Sequence, residues 1–162
     1  MASVFLIAAV LALGSTQHLA VTQSVADTIA IERAAASYAA TQLLPTLIDT
    51  ASKGRIAFDP RPAEHQIRSK ERTEMLAKVL GAEVVPRTAV VSCTSGCHMS
   101  EYAALVRIRL RSLTDTTAEV EMTVEWPSHR TRVPISLHQP WVLFEKQDGR
   151  WQFVRTLRVR DT

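Results

Sequence analysis

The sequence predicts an α+β fold: a curved antiparallel sheet of four to six strands packed against a long N-terminal helix and a second, shorter helix. Three observations carry that expectation. Apolar and charged residues alternate with period two through Ala104–Arg111 and again through Ala118–Trp126, the pattern of half-buried strands. An Asp148-Gly149 pair stands between the apolar runs Trp141–Phe144 and Trp151–Val154, a strong hairpin signal. In the first third of the chain Val25, Ile29, Ala36, Ala40, Leu43 and Leu47 fall at spacings of three, four or seven, which draws one apolar stripe along a helix.

Val4 to Leu13 is an apolar run of signal-peptide length, too short to span a bilayer comfortably, and Ala12-Leu13-Gly14 supplies the small residues of a cleavage site. The expected localisation is export, periplasmic or secreted. Residues 1–20 are then a signal peptide or an N-terminal apolar segment, residues 21–162 one α+β domain, and the mature chain keeps no stable membrane span. Against cleavage stand the lack of Lys or Arg before the run and His18 near a cut after Ala20. The alternatives are an apolar helix packed on the domain and an uncleaved anchor.

The helix is expected to start at Ser24, an N-cap type followed by Asp27 in the first turn. Pro45 has no donor for the carbonyl of Thr41, so the helix kinks or restarts there and runs on through Ala51, with Gly54 ending it. Arg55-Ile56-Ala57-Phe58 makes a short strand, stopped by Asp59-Pro60-Arg61-Pro62. A second helix follows from Ser69, with Met75, Leu76, Val79 and Leu80 on one side and Gly81 as a left-handed stop. Val84 to Val91 contains Pro86 and reads as a weak edge strand.

The two alternating segments zip in one register. Pairing Arg111 with Glu119 and Arg109 with Glu121 sets Leu110 against Val120, Ile108 against Met122 and Val106 against Val124, whereas a slip of one residue would expose every apolar side chain. The arginine–glutamate face is expected to be wet, each exposed pair contributing about 0.2–1 kcal/mol. Pro127, Pro134 and Pro140 make Ser128 to Gln139 a loop or an edge strand rather than a central one. Around Asp148-Gly149 a two-residue type I′ turn and a type I turn with a glycine bulge both fit. Leu157-Arg158-Val159-Arg160 continues the alternation and ties the last residues into the sheet.

With 162 residues, 46% of them apolar, the chain can bury one sizeable core. The net charge of +3 rests on arginines that alternate with apolar residues or lie near glutamates. A nucleic-acid surface needs clustered cations interleaved with exposed aromatics, and no such stretch occurs, so nucleic acid is not an expected partner. There is no Gly-rich phosphate loop, no nucleophile elbow and no helical His-Glu-x-x-His. No catalytic residue, metal or cofactor is assigned.

Cys93-Thr94-Ser95-Gly96-Cys97-His98-Met99 admits three chemistries. In an exported protein two cysteines this close make a disulfide clasping a loop, a contribution of about 2 kcal/mol. Thiolates, an imidazole and a thioether also suit Cu(I), but Glu101 and Ala104 stand where further ligands would follow. Haem attachment normally needs two residues between the cysteines, and here there are three. Asp59 and His65 share one loop and have the types of an acid–base pair, yet Asp before proline is a turn former. His129 and His138 lack the spacing of joint ligands. Trp126, Trp141 and Trp151 are expected to cluster on the sheet, as core or as the wall of a ligand pocket with Tyr38 on the first helix.

The order of a long helix, a break, a short strand, a helix and an antiparallel sheet, closed by the hairpin Phe144-Glu145-Lys146-Gln147-Asp148-Gly149-Arg150-Trp151, resembles the cone-shaped α+β fold of the ketosteroid-isomerase and nuclear-transport-factor-like (SnoaL-like) superfamily. The resemblance implies a pocket between first helix and sheet, with an acid–base pair in enzymatic members. Two functions follow as expectations: a non-catalytic domain holding an apolar small molecule or a protein partner in that concavity, and a small isomerase-like enzyme acting there. Metal handling through Cys93, Cys97 and His98 is a third.

Overall fold

Val106, Ile108 and Leu110 stand opposite Val124, Met122 and Val120, so the apolar halves of two alternating segments fall on one face and seed the core. A computed structural model describes residues 12–48, 54–61, 68–94, 96–99, 101–130 and 133–162. Its helices are α1 (Ala12–Tyr38), α2 (Leu44–Leu47), α3 (Lys70–Leu80) and α4 (Arg87–Val90). Its strands are β1 (Arg55–Phe58), β2 (Glu83–Val84), β3 (Val91–Cys93), β4 (Cys97–Met99), β5 (Tyr102–Leu113), β6 (Thr117–Arg130), β7 (Val133–Gln147) and β8 (Arg150–Asp161). Six strands make one open sheet in the order β2-β1-β5-β6-β7-β8, and β3 pairs with β4 in a separate ribbon.

The architecture is α+β, with a long first helix and a shorter second one over one face of the sheet. Two features differ from the expected curved, wholly antiparallel sheet. It is open, ending in β2 and β8 rather than curling towards closure. It is also mixed, because β1 runs parallel to both β5 and β2. Parallel neighbours need a crossover, and α3 supplies it between β1 and β2.

Ile31, Ala35, Ala36 and Ala39 on the first helix and its π-turn continuation are fully buried, and α1 packs on β5, β8 and α3. Their small side chains let the helix lie close to the sheet. Helix α1 begins at Ala12, so Ser24 lies within it rather than capping it, and Val25 is exposed. The apolar run from Val4 to Leu11 lies outside the described residues. A single π turn, Ala39–Leu43, precedes α2, where Pro45 occupies the first turn and its missing donor costs least. The helix stops at Leu47, short of Ala51. Gly54 serves a different purpose from the expected stop: a Cβ there would sit 2.7 Å from the backbone nitrogen of Ala103. It lets β1 enter the sheet beside β5. Helix α3 follows its signals, with the Ser69 hydroxyl accepting from the N–H of Arg72 and Gly81 at φ 64°.

The β5–β6 register is the expected one from Val106–Val124 to Arg109–Glu121 and Leu110–Val120. It then shifts, pairing Ser112 with Glu119, so Arg111 sits in a bulge and does not face Glu119. The β7–β8 hairpin closes with Gln147 opposite Arg150, and Asp148 and Gly149 have φ of 50° and 74°. Two positive φ values select the type I′ turn.

The described residues of the stretch from Ser128 to Gln139, 128–130 and 133–139, are neither loop nor edge. They belong to β6 and to β7, which lies between β6 and β8. The prolines are accommodated where the ladders break: a register shift follows Pro127, and the β6–β7 pairing is interrupted between Glu121–Trp141 and Val124–His138, where Pro140 lacks its donor. Likewise the expected strand from Val84 to Val91 divides into β2, then α4 with Pro86 as its N-cap, then the start of β3.

Candidate functional site

Arg107 and Arg109 of β5 and the odd-numbered residues from Glu119 to Glu125 of β6 point away from α1, and the expectation for this face is water. The structure covers part of it instead. The ribbon β3–β4 and helix α4 pack on it through a small apolar cluster of Ala57, Val90, Val91 and Leu105, with Cys97, Met99 and Ile135 at its margin. Beneath that cover Glu125 is 6% exposed, and further back along β6 Glu121 is 1% exposed. Carboxylates so buried are tolerable only when paired and hydrogen-bonded.

Arginines from three elements supply the partners. Arg87 of α4 grips Glu125 through Nε (2.9 Å to Oε1) and Nη2 (2.8 Å to Oε2). Arg107 of β5 bridges, donating from Nε to Asp59 Oδ2 at 3.1 Å while its Nη2 lies 3.6 Å from Glu125 Oε1. Arg61 donates from Nε and Nη2 to the same Asp59, whose side chain is wholly buried at the end of β1. Arg61, Arg87, Arg107 and Glu125 wall a cavity of about 580 Å³ with Thr123 and, on its apolar side, Ile135 and Leu137. Cys97 of the disulfide ribbon stands at its rim.

The side-chain charges that line this cleft are not symmetrical: three guanidiniums (Arg61, Arg87, Arg107) stand beside one carboxylate (Glu125), while the buried Asp59 pairs with Arg61 and Arg107. Burial raises the carboxyl pKa of Asp59, but hydrogen bonds from the Arg61 side chain and N–H, with the charge of Arg107, more than offset this and hold it below its ordinary value. Hydrogen bonding to Glu125 raises Arg87. Arg107 moves the other way: burial lowers it, and the charges of Arg109 and Arg61 add to that against the pull of Asp59 and Glu125. A cation disfavoured by burial is a place where a bound anion adds stabilisation.

Next to the cleft Glu121 accepts from Arg111 and from Gln139 Nε2 (2.9 Å), with Arg109 Nη1 at 3.8 Å. Trp141 lies on this same face, with the Arg158 guanidinium 3.4 Å and that of Arg111 5.2 Å from its ring centre. A third charged group, Glu32 of α1 with Arg68 (2.9 Å) and Arg72 (2.5 Å), is sealed between α1 and α3. Arg68 also donates to the carbonyls of Pro60 and Ile108. It ties the helices to the sheet.

The four expected pocket residues are not brought together. Trp141 is on the opposite face from the other three, because it pairs with Glu121 while Trp126 pairs with Ser136. On the helix face Tyr38 stacks on Phe153 at 4.3 Å and meets Phe144 edge-on, and burial raises its pKa. Trp151 is buried with Lys146 over its ring. Side chains fill the space between helix and sheet, and Trp126 lines a cavity of about 560 Å³ at the sheet's end, shared with Leu47, Ser136, His138 and Asp161. There His138 Nδ1 and Asp161 Oδ1 are 2.6 Å apart.

Cys93 and Cys97 are joined as a disulfide and cross-link the ribbon β3–β4. Their sulfurs are therefore not thiolate ligands, His98 is exposed beside them, and among the described residues no three His, Cys, Asp or Glu side chains gather as a metal site requires. Asp59 is committed to Arg61 and Arg107, while His65 and the side chain of His129 lie outside the described residues. The arginine cleft itself escaped the sequence reading. Its signal was present in the alternating arginines and glutamates, but nothing local announced that another part of the chain would cover them.

No protein-family model, curated protein or solved structure matches this chain. No helix among the described residues is long and apolar enough to cross a membrane.

Proposed function

We propose that this chain is an exported, non-catalytic binding module whose recognition site is the arginine-lined cleft, and that its ligand carries carboxylate or phosphate groups. One observation carries the reading: Arg61, Arg87 and Arg107 converge on a cavity of about 580 Å³ whose lining holds one acidic side chain, Glu125. The carboxylates Asp59 and Glu125 hold the guanidiniums in place, so little side-chain freedom is lost when an anion binds. Arginine's planar fork suits such a ligand. The disulfide beside the cleft and the apolar N-terminal run support export.

The test is calorimetric titration of the disulfide-intact chain with citrate and inorganic pyrophosphate, with glycerol as the neutral control. Binding of at least one anion is expected, weakening with salt and falling about tenfold in Arg87→Gln. Absence of heat with both anions, or equal affinity in Arg87→Gln, overturns the reading.

A second reading has its own observation. His138, held by Asp161 beside Trp126 and Leu47 in the cavity at the sheet's end, has the composition of a general base oriented by a carboxylate. It supports the isomerase-like alternative that the family resemblance implies. Proton exchange at the α-carbon of an apolar ketone, present in the parent and abolished in His138→Gln, would establish it; no exchange above buffer rejects it.

A further inference from the structure

Strand β8 forms one edge of the sheet, paired with β7 on one side and, among the described residues, with nothing on the other. The opposite edge, β2, has two residues, whereas β8 has twelve. A long edge strand presents a row of unpaired backbone donors and acceptors, which proteins shorten or interrupt unless it is used. β8 contains no proline and no lysine, and Phe153, Val154, Leu157 and Val159 on it are exposed.

Its charge pattern specifies what fits. On the face away from α1, Arg155 stands opposite Leu143, Arg158 opposite Trp141 and Arg160 opposite Gln139. This row resembles Arg107, Arg109 and Arg111 on β5, and the row on β5 is answered by the glutamates of β6: Glu125 to Arg107, and Glu121 to Arg109 and Arg111. Across the sheet an arginine row is thus followed by a glutamate row, then the mixed row of β7, then a second arginine row on β8. Arg158 stacks on Trp141, but no carboxylate among the described residues pairs with Arg155 or Arg160. A second copy of β8 is the wrong occupant, because its arginines would add like charge beside this row.

We propose that the outer edge of β8 receives an extended, acidic segment of a partner protein as an added strand, with glutamate or aspartate on alternate positions and apolar residues between, the chemistry that β6 presents to β5. Backbone pairing supplies affinity, and the carboxylates meeting Arg155 and Arg160 supply register and choice of partner. The other face of the added strand covers Phe153 and Val159, which Tyr38 already extends into an aromatic shelf.

The experiment uses the full, disulfide-intact chain and two labelled synthetic peptides, one alternating glutamate with valine and one alternating lysine with valine. Fluorescence anisotropy reads binding, amide hydrogen exchange reads its place, and sedimentation reads the oligomeric state. The glutamate peptide is expected to bind, to slow exchange at alternate amides of β8, and to bind about tenfold more weakly to Arg155→Glu/Arg160→Glu. Both side chains are exposed, and an unchanged melting temperature shows that this variant folds. Equal binding of the lysine peptide overturns the proposal, as does absence of new protection on β8. Full protection of β8 in the free monomer, or protection arising only with self-association, overturns it too by naming a different occupant.

Discussion

Asp59 shows at the scale of one residue how an ordinary turn-forming position becomes part of a site. Its N–H donates to the carbonyl of Val106, extending the parallel ladder by one rung, while its carboxylate collects Arg61 and Arg107. Because its folded pKa lies below the ordinary carboxylate value, the stabilisation is complete above the unfolded pKa and is lost as pH falls through the folded one. Stability therefore drops on acidification below about pH 4. In Asp59→Asn that acid limb should be shallower in urea unfolding followed from neutral pH downward, at the cost of lower stability near pH 7. An acid limb identical to the parent's would show that Asp59 does not drive it. Glu32 is the comparable case inside the helix layer. Removing one partner of such a buried group costs about 3–5 kcal/mol, since charge is left without compensation.

At the scale of elements, the entry of β1 into the sheet depends on a missing side chain. Gly54 passes so close to Ala103 that an added Cβ would sit 2.7 Å from both its nitrogen and its Cβ. The obstacle is backbone of β5, which cannot swing aside as a flexible side chain would. Gly54→Ala is thus expected to destabilise by about 1–3 kcal/mol, with faster amide exchange in β1 and β2 and little change in β6–β8. Uniform loss of protection across the sheet would place the cost elsewhere. The same strand entry positions Asp59, so this variant should also weaken anion binding in the cleft.

Across the whole molecule, the sheet has two differently used faces. One is filled by α1 and α3, and the other is half covered by the ribbon β3–β4 and α4, leaving the cleft between cover and sheet. The disulfide between Cys93 and Cys97 holds that cover by closing a short loop in the unfolded chain. Replacing both cysteines by serine should cost about 2 kcal/mol, a fall of about 4–8 °C in melting temperature for a chain of this size. The loss should appear first as exchange in β3, β4 and α4. A variant as stable as the parent would mean that the satellite apolar cluster holds the ribbon by itself.

The sequence by itself determined what local chemistry can specify. Period-two alternation with one apolar side left a single register for β5 and β6, Asp148-Gly149 placed the last hairpin, and Ser69 and Gly81 bounded α3. Each signal acts over a few residues or between neighbouring strands. Only the tertiary structure decided the rest: that β1 pairs parallel to β5, that prolines sit at breaks in a central strand, and that a bulge turns Arg111 from Glu119 to Glu121. It also decided the cleft, whose contacts join Arg87 to Glu125 and Arg107 to Asp59 across 38 and 48 residues. The physical reason is that an alternating charged face has the same sequence whether water or protein lies against it. Burial distinguishes the two, and it is a property of the assembled layers, not of any strand.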